Sequence, residues 1–254
     1  MLLLLVAAFA GSASTAPPPP TPPSPTCAAP SLRGLPYCDA TAARDQRVAD
    51  LLSRMSAAQK VARLVMDPAP QPEGEAAGLP RYAWGVEGQV MSFNACLNQL
   101  GCTDPADPLC AVCGVSFPMP PALASAFNAT LIEEVGSIVG VAVRALDNWS
   151  RAGANGTKAA GPVQRALSVR GPYLNIMRDP RDGRNQERPS EDPWWCGEVG
   201  AAWIRGVQEG THARWRDARY LTATTEAVVF STYSKETNRH QYTANVSRFD
   251  LEDR

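Results

Sequence analysis

The feature that most constrains this chain is the stretch Arg178 to Pro193, where nine of sixteen residues are charged in a sequence that is 19% charged overall. Gly183 and three prolines interrupt it, so it can be neither a regular helix nor a central strand. The preceding residues 171–177 read as a short buried strand opened by a turn. The following residues, Trp194 to Gln208, place Val199, Trp203, Ile204 and Val207 at helical spacing. Strand, long polar loop and helix make a βα unit. In α/β folds the loop leaving a strand's C-terminal end is where ligands are held.

The N-terminus adds a different signal. Residues 2–10 are an unbroken apolar run, followed by small residues from Gly11 to Ala16. The run is far shorter than the roughly 20 residues of a membrane span, and residues 1–16 are read as a secretory signal peptide. No later stretch is apolar enough to span a membrane. Residues 17–34 are rich in proline and are read as an extended linker. A formal net charge of −1 gives no electrostatic reason to expect nucleic acid as a partner.

Residues 45–66 carry Val48, Leu51, Leu52, Met55, Val61, Leu64 and Val65 at helical period. Ser56 and Gln59 have the spacing of a capping box, so two short helices are expected to meet there, each burying one stripe. Residues 78–88 read as a short strand running into a glycine loop, with a single carboxylate, Glu87, at its end. A long amphipathic helix is expected to end near Leu146, and residues 149–168 to form a flexible insertion.

There are seven cysteines. In a secreted chain they are disulfide candidates before they are metal ligands. Cys96, Cys102, Cys110 and Cys113 have uneven spacing and suit two local disulfides stapling a loop better than a zinc site. The odd total leaves one thiol free or paired elsewhere. Sequons at Asn128, Asn148, Asn155 and Asn245 fit a secreted glycoprotein.

Asn175-Ile176-x-Arg178-Asp179-Pro180-Arg181-x-Gly183-Arg184-x-x-Glu187, followed by Glu191-Asp192-Pro193, resembles the signature of the family 3 glycoside hydrolases. Those are retaining β-glycosidases with a barrel-type first domain. The likeness runs over residues 35–253 and takes in the helical entry segment and the phrase ending Ala142-Val143-Arg144-Ala145. It implies an α/β fold: a (β/α)₈ TIM-barrel-type N-terminal domain, incomplete over residues 35–254, with barrel edges left unpaired. It also implies that Arg184 grips sugar hydroxyls, a task suited to a permanently charged guanidinium fork. Glu87 aligns with a carboxylate that accepts bonds from sugar hydroxyls in the innermost subsite.

The chain departs from the family pattern at three places. Asp182 stands where tryptophan is usual. Val90 and Met91 stand where xylosidase-like members carry histidine and glycine. Val228-Val229 replace a Lys-His pair that holds sugar hydroxyls, and two valine side chains make no hydrogen bonds. Neither His212 nor His240 fits as a replacement, and both read as surface residues. Retaining hydrolysis needs two carboxylates about 5–5.5 Å apart, and the likeness assigns both to sequence beyond Asp253. No catalytic residue, metal or cofactor is assigned within this chain.

The resemblance implies hydrolysis of terminal β-linked sugars of the xyloside or glucoside type outside the cell. The ligand would be a β-linked oligosaccharide or glycoside, with a missing C-terminal half or a partner chain supplying the rest. The alternative is a catalytically inactive sugar-binding or regulatory relative.

Overall fold

The structure is a computed structural model, and it describes residues 27, 30–62, 64, 86–88, 91, 114–152, 167–229 and 232–253. The signal peptide, most of the proline-rich linker, Cys96 to Cys113 and the sequon at Asn155 lie outside the described residues. The chain divides into two compact units, residues 1–65 with 71–80, and residues 66–70 with 81–254.

In the first unit, Cys27 is disulfide-bonded to Cys38, with 5.4 Å between their Cα atoms. Closing a loop this short removes unfolded-chain entropy worth about 3 kcal/mol. Cys38 ends a single 3₁₀ turn, Pro36–Cys38, whose Tyr37 is buried. Helices α1 (Arg44–Arg54) and α2 (Ala57–Ala62) follow. The expected capping box is formed: the Ser56 N–H donates to Gln59 Oε1 at 2.8 Å, and the Gln59 N–H donates to Ser56 Oγ at 3.2 Å. The expected buried stripe on α1 is not. Val48 and Leu52 are 46% and 44% exposed, and no residue of α1 is buried.

The second unit holds a three-stranded parallel sheet in the order β1 (Val86–Glu87), β2 (Ser168–Tyr173), β3 (Thr224–Val228). Parallel neighbours joined by helical crossovers make this an α/β arrangement. The central strand, β2, is buried along nearly all its length, as expected of a strand covered on both faces. Its register slips at Arg170/Gly171, where both residues oppose Glu226.

The strand read from the sequence at residues 171–177 is therefore shifted. It begins at Ser168 and ends at Tyr173. Pro172, which suggested an opening turn, sits beside the register slip, the one kind of place where a central strand tolerates a residue without an N–H.

Helix α3 (Pro120–Ala124) precedes α4 (Ala129–Ala152), and α5 (Pro193–Glu209) connects β2 to β3. Asn128 caps α4 by accepting the Leu131 N–H at 3.1 Å. The helix runs six residues past Leu146, so residues 149–152 are helical rather than part of an insertion, and Ser168 already belongs to β2. Asp192 caps α5 by accepting the Trp194 N–H at 3.0 Å, and Pro193 occupies the first turn. Gly210 ends the helix at φ 71°.

The core lies between α4, α5 and the sheet, with Ile132, Val139 and Val143 facing Val199, Trp203 and Val207. The two helices pack backbone to backbone. A Cβ on Gly136 would collide with the Trp203 carbonyl, and one on Gly206 with that of Glu133. This packing brings α5 against β2 and fixes the direction in which the charged loop leaves the sheet.

Candidate functional site

The loop between β2 and α5 folds on its own polar groups. The Asp179 carboxylate accepts the Arg181 N–H at 2.8 Å and pairs with that residue's guanidinium at 2.7 and 2.9 Å. Gly183, at φ 96°, takes a conformation that side chains disfavour. A 3₁₀ turn, Asn185–Glu187, comes next. The Asn185 amide donates to the Asp179 carbonyl at 2.7 Å, tying the turn to the loop's start.

At the centre of the loop stands Tyr173, the last residue of β2 and wholly buried. Burial pushes its phenol above the ordinary value, so it stays a neutral hydroxyl. Two guanidiniums lie against its ring, Arg184 at 5.6 Å and Arg188 at 5.1 Å from the centroid, in cation–π geometry. The Arg188 side chain has no exposed surface. It donates to the Ile176 carbonyl at 2.8 Å, the Tyr233 carbonyl at 2.7 Å and the Tyr173 hydroxyl at 3.3 Å, and forms a buried ion pair with Asp182.

Arg184 is about four-fifths buried and binds Glu187 through a fork, Nε to Oε1 at 2.7 Å and Nη2 to Oε2 at 2.5 Å. The hydrogen bond to Glu187 is the main cause holding its guanidinium above its usual value. Glu236 stands 4.0 Å from Nη1. Three carboxylates thus surround two guanidiniums.

Two of the loop's aspartates shift in opposite directions. Hydrogen bonds from Arg181 hold Asp179 down at about 2. Burial pushes Asp182 up despite the arginines beside it. A carboxyl that shuttles protons needs a value near working pH, which Asp179 does not have.

Two clefts flank the loop. One, of about 400 Å³, is lined by Arg184, Asn185, Gln186 and Glu187 together with Met119 and Pro180. The other, of about 710 Å³, is lined by Asn175 and Arg178 from the loop, Thr232 and Ser234 from the segment after β3, and Asn245 and Asp250 further on. The first is lined by the loop that leaves the C-terminal end of β2, and the second by residues that follow both β2 and β3, where α/β sheets hold ligands. Neutral polar groups and paired charges of this kind suit a polyhydroxylated ligand, whose hydroxyls both donate and accept.

Arg184, singled out in the sequence, borders one of these clefts. Glu87 closes β1 opposite Arg170, and its side chain lies outside the described residues. Val228 ends β3, and Val229 follows it at φ 56°. His212 is exposed and rests against the Trp215 ring at 5.4 Å, and His240 is exposed beside Arg239. Among the described residues, no group of three or more His, Cys, Asp or Glu side chains is placed to hold a metal ion.

Asp182, a departure from the family pattern, becomes the buried partner of Arg188. Sequence reading passed over Arg188, Tyr173 and Glu236. Fully buried charges are rare unless paired. Here the pairing depends on contacts such as Arg188 to Tyr233, 45 residues apart, which no local pattern reveals.

No family model matches the chain. A β-xylosidase/α-L-arabinofuranosidase 2 of Medicago sativa subsp. varia is 29% identical over 230 residues, 88% of this chain and 26% of that protein. A β-D-xylosidase 1 of Arabidopsis thaliana is 31% identical over 226 residues, 87% of this chain and 26% of that protein. Among solved structures, a family 3 exo-β-xylosidase in complex with a xylobiose aziridine activity-based probe matches with a TM-score of 0.58 and 25% identity. That match covers 83% of this chain and 24% of the other. The chain spans about a quarter of the length of these curated relatives. Similarity to named β-xylosidases over 87–88% of the chain, together with a structural match to a solved family 3 enzyme, makes this chain a relative of the family 3 glycoside hydrolases.

Proposed function

We propose that this chain is the sugar-binding part of a secreted β-glycosidase of the xylosidase type, acting on terminal β-linked sugars by a retaining mechanism. Its described sheet is the portion of a (β/α)₈ barrel that carries the signature loop. Residues 1–16 act as the signal peptide, 17–34 as a linker and 35–254 as the barrel domain. The observation that carries the reading is Arg184, held on a fixed aromatic ring at the border of a cleft beyond β2. There it donates to sugar hydroxyls, while Glu87 accepts from them at the end of β1. The two carboxylates of a retaining reaction, about 5–5.5 Å apart, are assigned to sequence beyond Asp253.

A second reading is a noncatalytic sugar-binding relative. The end of β3 favours it, because Val228 and Val229 offer side chains that neither donate nor accept. A site built for hydroxyls and then deprived of partners loses discrimination by orders of magnitude.

The test is to express the full chain and measure hydrolysis of nitrophenyl β-xyloside together with binding of xylobiose, in the wild type and in Arg184→Lys. Binding that weakens in Arg184→Lys is the outcome expected under both readings. Hydrolysis that appears once sequence supplying the two carboxylates is joined to the chain supports the first, and binding that never leads to hydrolysis supports the second. A folded chain that does neither overturns both.

A further inference from the structure

We propose that Arg188 and Asp182 are positioning residues for Arg184; the proposal rests on the reading of Arg184 as a sugar-binding residue. Arg188 reaches across two strand ends. It binds the Ile176 carbonyl just after β2 and the Tyr233 carbonyl after β3, and its N–H donates to the Asn185 carbonyl inside the loop. Asp182 is fixed at the other end of the same short segment. Its carbonyl accepts the Glu236 N–H at 2.9 Å, and its carboxylate pairs with Arg188. Arg184 lies between these two anchors.

The connection to Arg184 runs through Tyr173. Arg188 holds the Tyr173 hydroxyl at 3.3 Å and rests against its ring, which fixes the ring on which the Arg184 guanidinium lies. Glu187 then sets the rotation of the Arg184 fork. A guanidinium stacked on a held ring and gripped by Glu187 keeps one orientation, which preorganises it for a ligand.

Stability alone is a weak reason for the pair. Burying two charges costs desolvation that their attraction often fails to exceed, and an apolar pair of similar volume serves as well. A buried pair that sets the geometry of a functional neighbour accounts for both its burial and its place.

The experiment follows the Arg184 Nε–H resonance by NMR, identified by its loss in Arg184→Lys, alongside xylobiose binding and the thermal midpoint. The wild-type full chain is compared with Arg188→Gln and with the double variant Asp182→Asn/Arg188→Gln. In Arg188→Gln the Arg184 signal is expected to move or broaden, and xylobiose affinity to fall by roughly tenfold or more. The double variant, freed of the unpaired buried charge, is expected to regain thermal midpoint but neither the Arg184 signal nor the affinity. Should Arg188→Gln fail to fold, the double variant carries the comparison.

An unchanged Arg184 signal in a folded variant lacking Arg188 overturns the proposal. So does a double variant that restores midpoint, signal and affinity together, because the pair would then act only as a stabiliser. If the wild type does not bind xylobiose, the reading of Arg184 fails, and the Arg184 signal alone decides the question of positioning.

Discussion

The ends of β2 and β3 lie side by side in one parallel sheet, yet they are equipped in opposite ways. Beyond β2, side chains carry the chemistry: Asn175, Asp182, Arg184 and Arg188 are all bound into a polar network. At the end of β3 the backbone does more of this, with Glu236 as the nearest carboxylate beyond it. The Tyr233 carbonyl receives both the Asn175 amide and the Arg188 guanidinium, while Val228 and Val229 contribute no polar side chain. Val229 and Thr232, both β-branched, stand at φ 56° and 57°. For L-residues that conformation costs about 1–2 kcal/mol each, and such strain persists only where the surroundings impose it. The loop after β2 thus holds its own polar side chains in place, and the segment after β3 supports them through the Tyr233 carbonyl.

The largest expected effect breaks the polar side. Arg188→Met leaves Asp182 buried without its cation and is expected to cost about 3–5 kcal/mol in urea denaturation. Asp182→Leu combined with Arg188→Met is expected to recover most of that, since both charges leave together. A single variant as stable as the wild type would show that the pair is not buried as described.

The next effect adds chemistry to the bare side. Val228→Lys with Val229→His gives the end of β3 a charged donor and an imidazole. Hydrogen bonds to charged groups contribute about 1.5–3 kcal/mol, so xylobiose affinity measured by calorimetry is expected to rise by about tenfold or more. No gain would mean that the ligand does not reach β3, and that the two strand ends do not share a site.

A smaller effect tests the strain. Val229→Gly is expected to raise stability by up to about 1 kcal/mol, because relief of the left-handed conformation exceeds the roughly 0.5–1 kcal/mol of added chain entropy. A loss of stability would show that the valine side chain contributes packing that outweighs its backbone.

The same contrast explains what was legible in the sequence. Helix α5 was readable because Val199, Trp203, Ile204 and Val207 recur at helical spacing, and its Asp192 cap and Gly210 end lie just outside the span so read. The capping box at Ser56 and Gln59 was readable because it is local. The start of β2 was not, because a proline beside a register slip looks like a turn until the partner strand is seen. The exposed stripe on α1 was missed because periodicity says which face is apolar, not what covers it. In the site, Arg184 was legible through its motif. The network that holds Arg184 was legible only in its Glu187 partner, three residues away, because the rest joins Arg188 to Tyr173 and to the Tyr233 carbonyl, 15 and 45 residues off.

The smallest effect lies within the loop itself, where Asp179 and Asp182 stand three residues apart. Asp179 is held at about 2 by hydrogen bonds from Arg181, below the ordinary carboxylate value. Its contribution to stability is therefore present above about pH 4 and is lost as pH falls toward 2. Asp182 is pushed up by burial. Its protonated form is the one the fold favours, so its contribution is present below about pH 4 and is lost as pH rises through its folded value. Carboxyl ¹³C titration of the full chain should show the two moving apart, Asp179 low and Asp182 high. Arg181→Ala removes the guanidinium but keeps the residue-181 N–H, so it should raise Asp179 part of the way toward the ordinary value and leave Asp182 where it was. Two aspartates titrating together would mean that Asp182 is solvated, and the buried anchor beneath Arg184 would have to be abandoned.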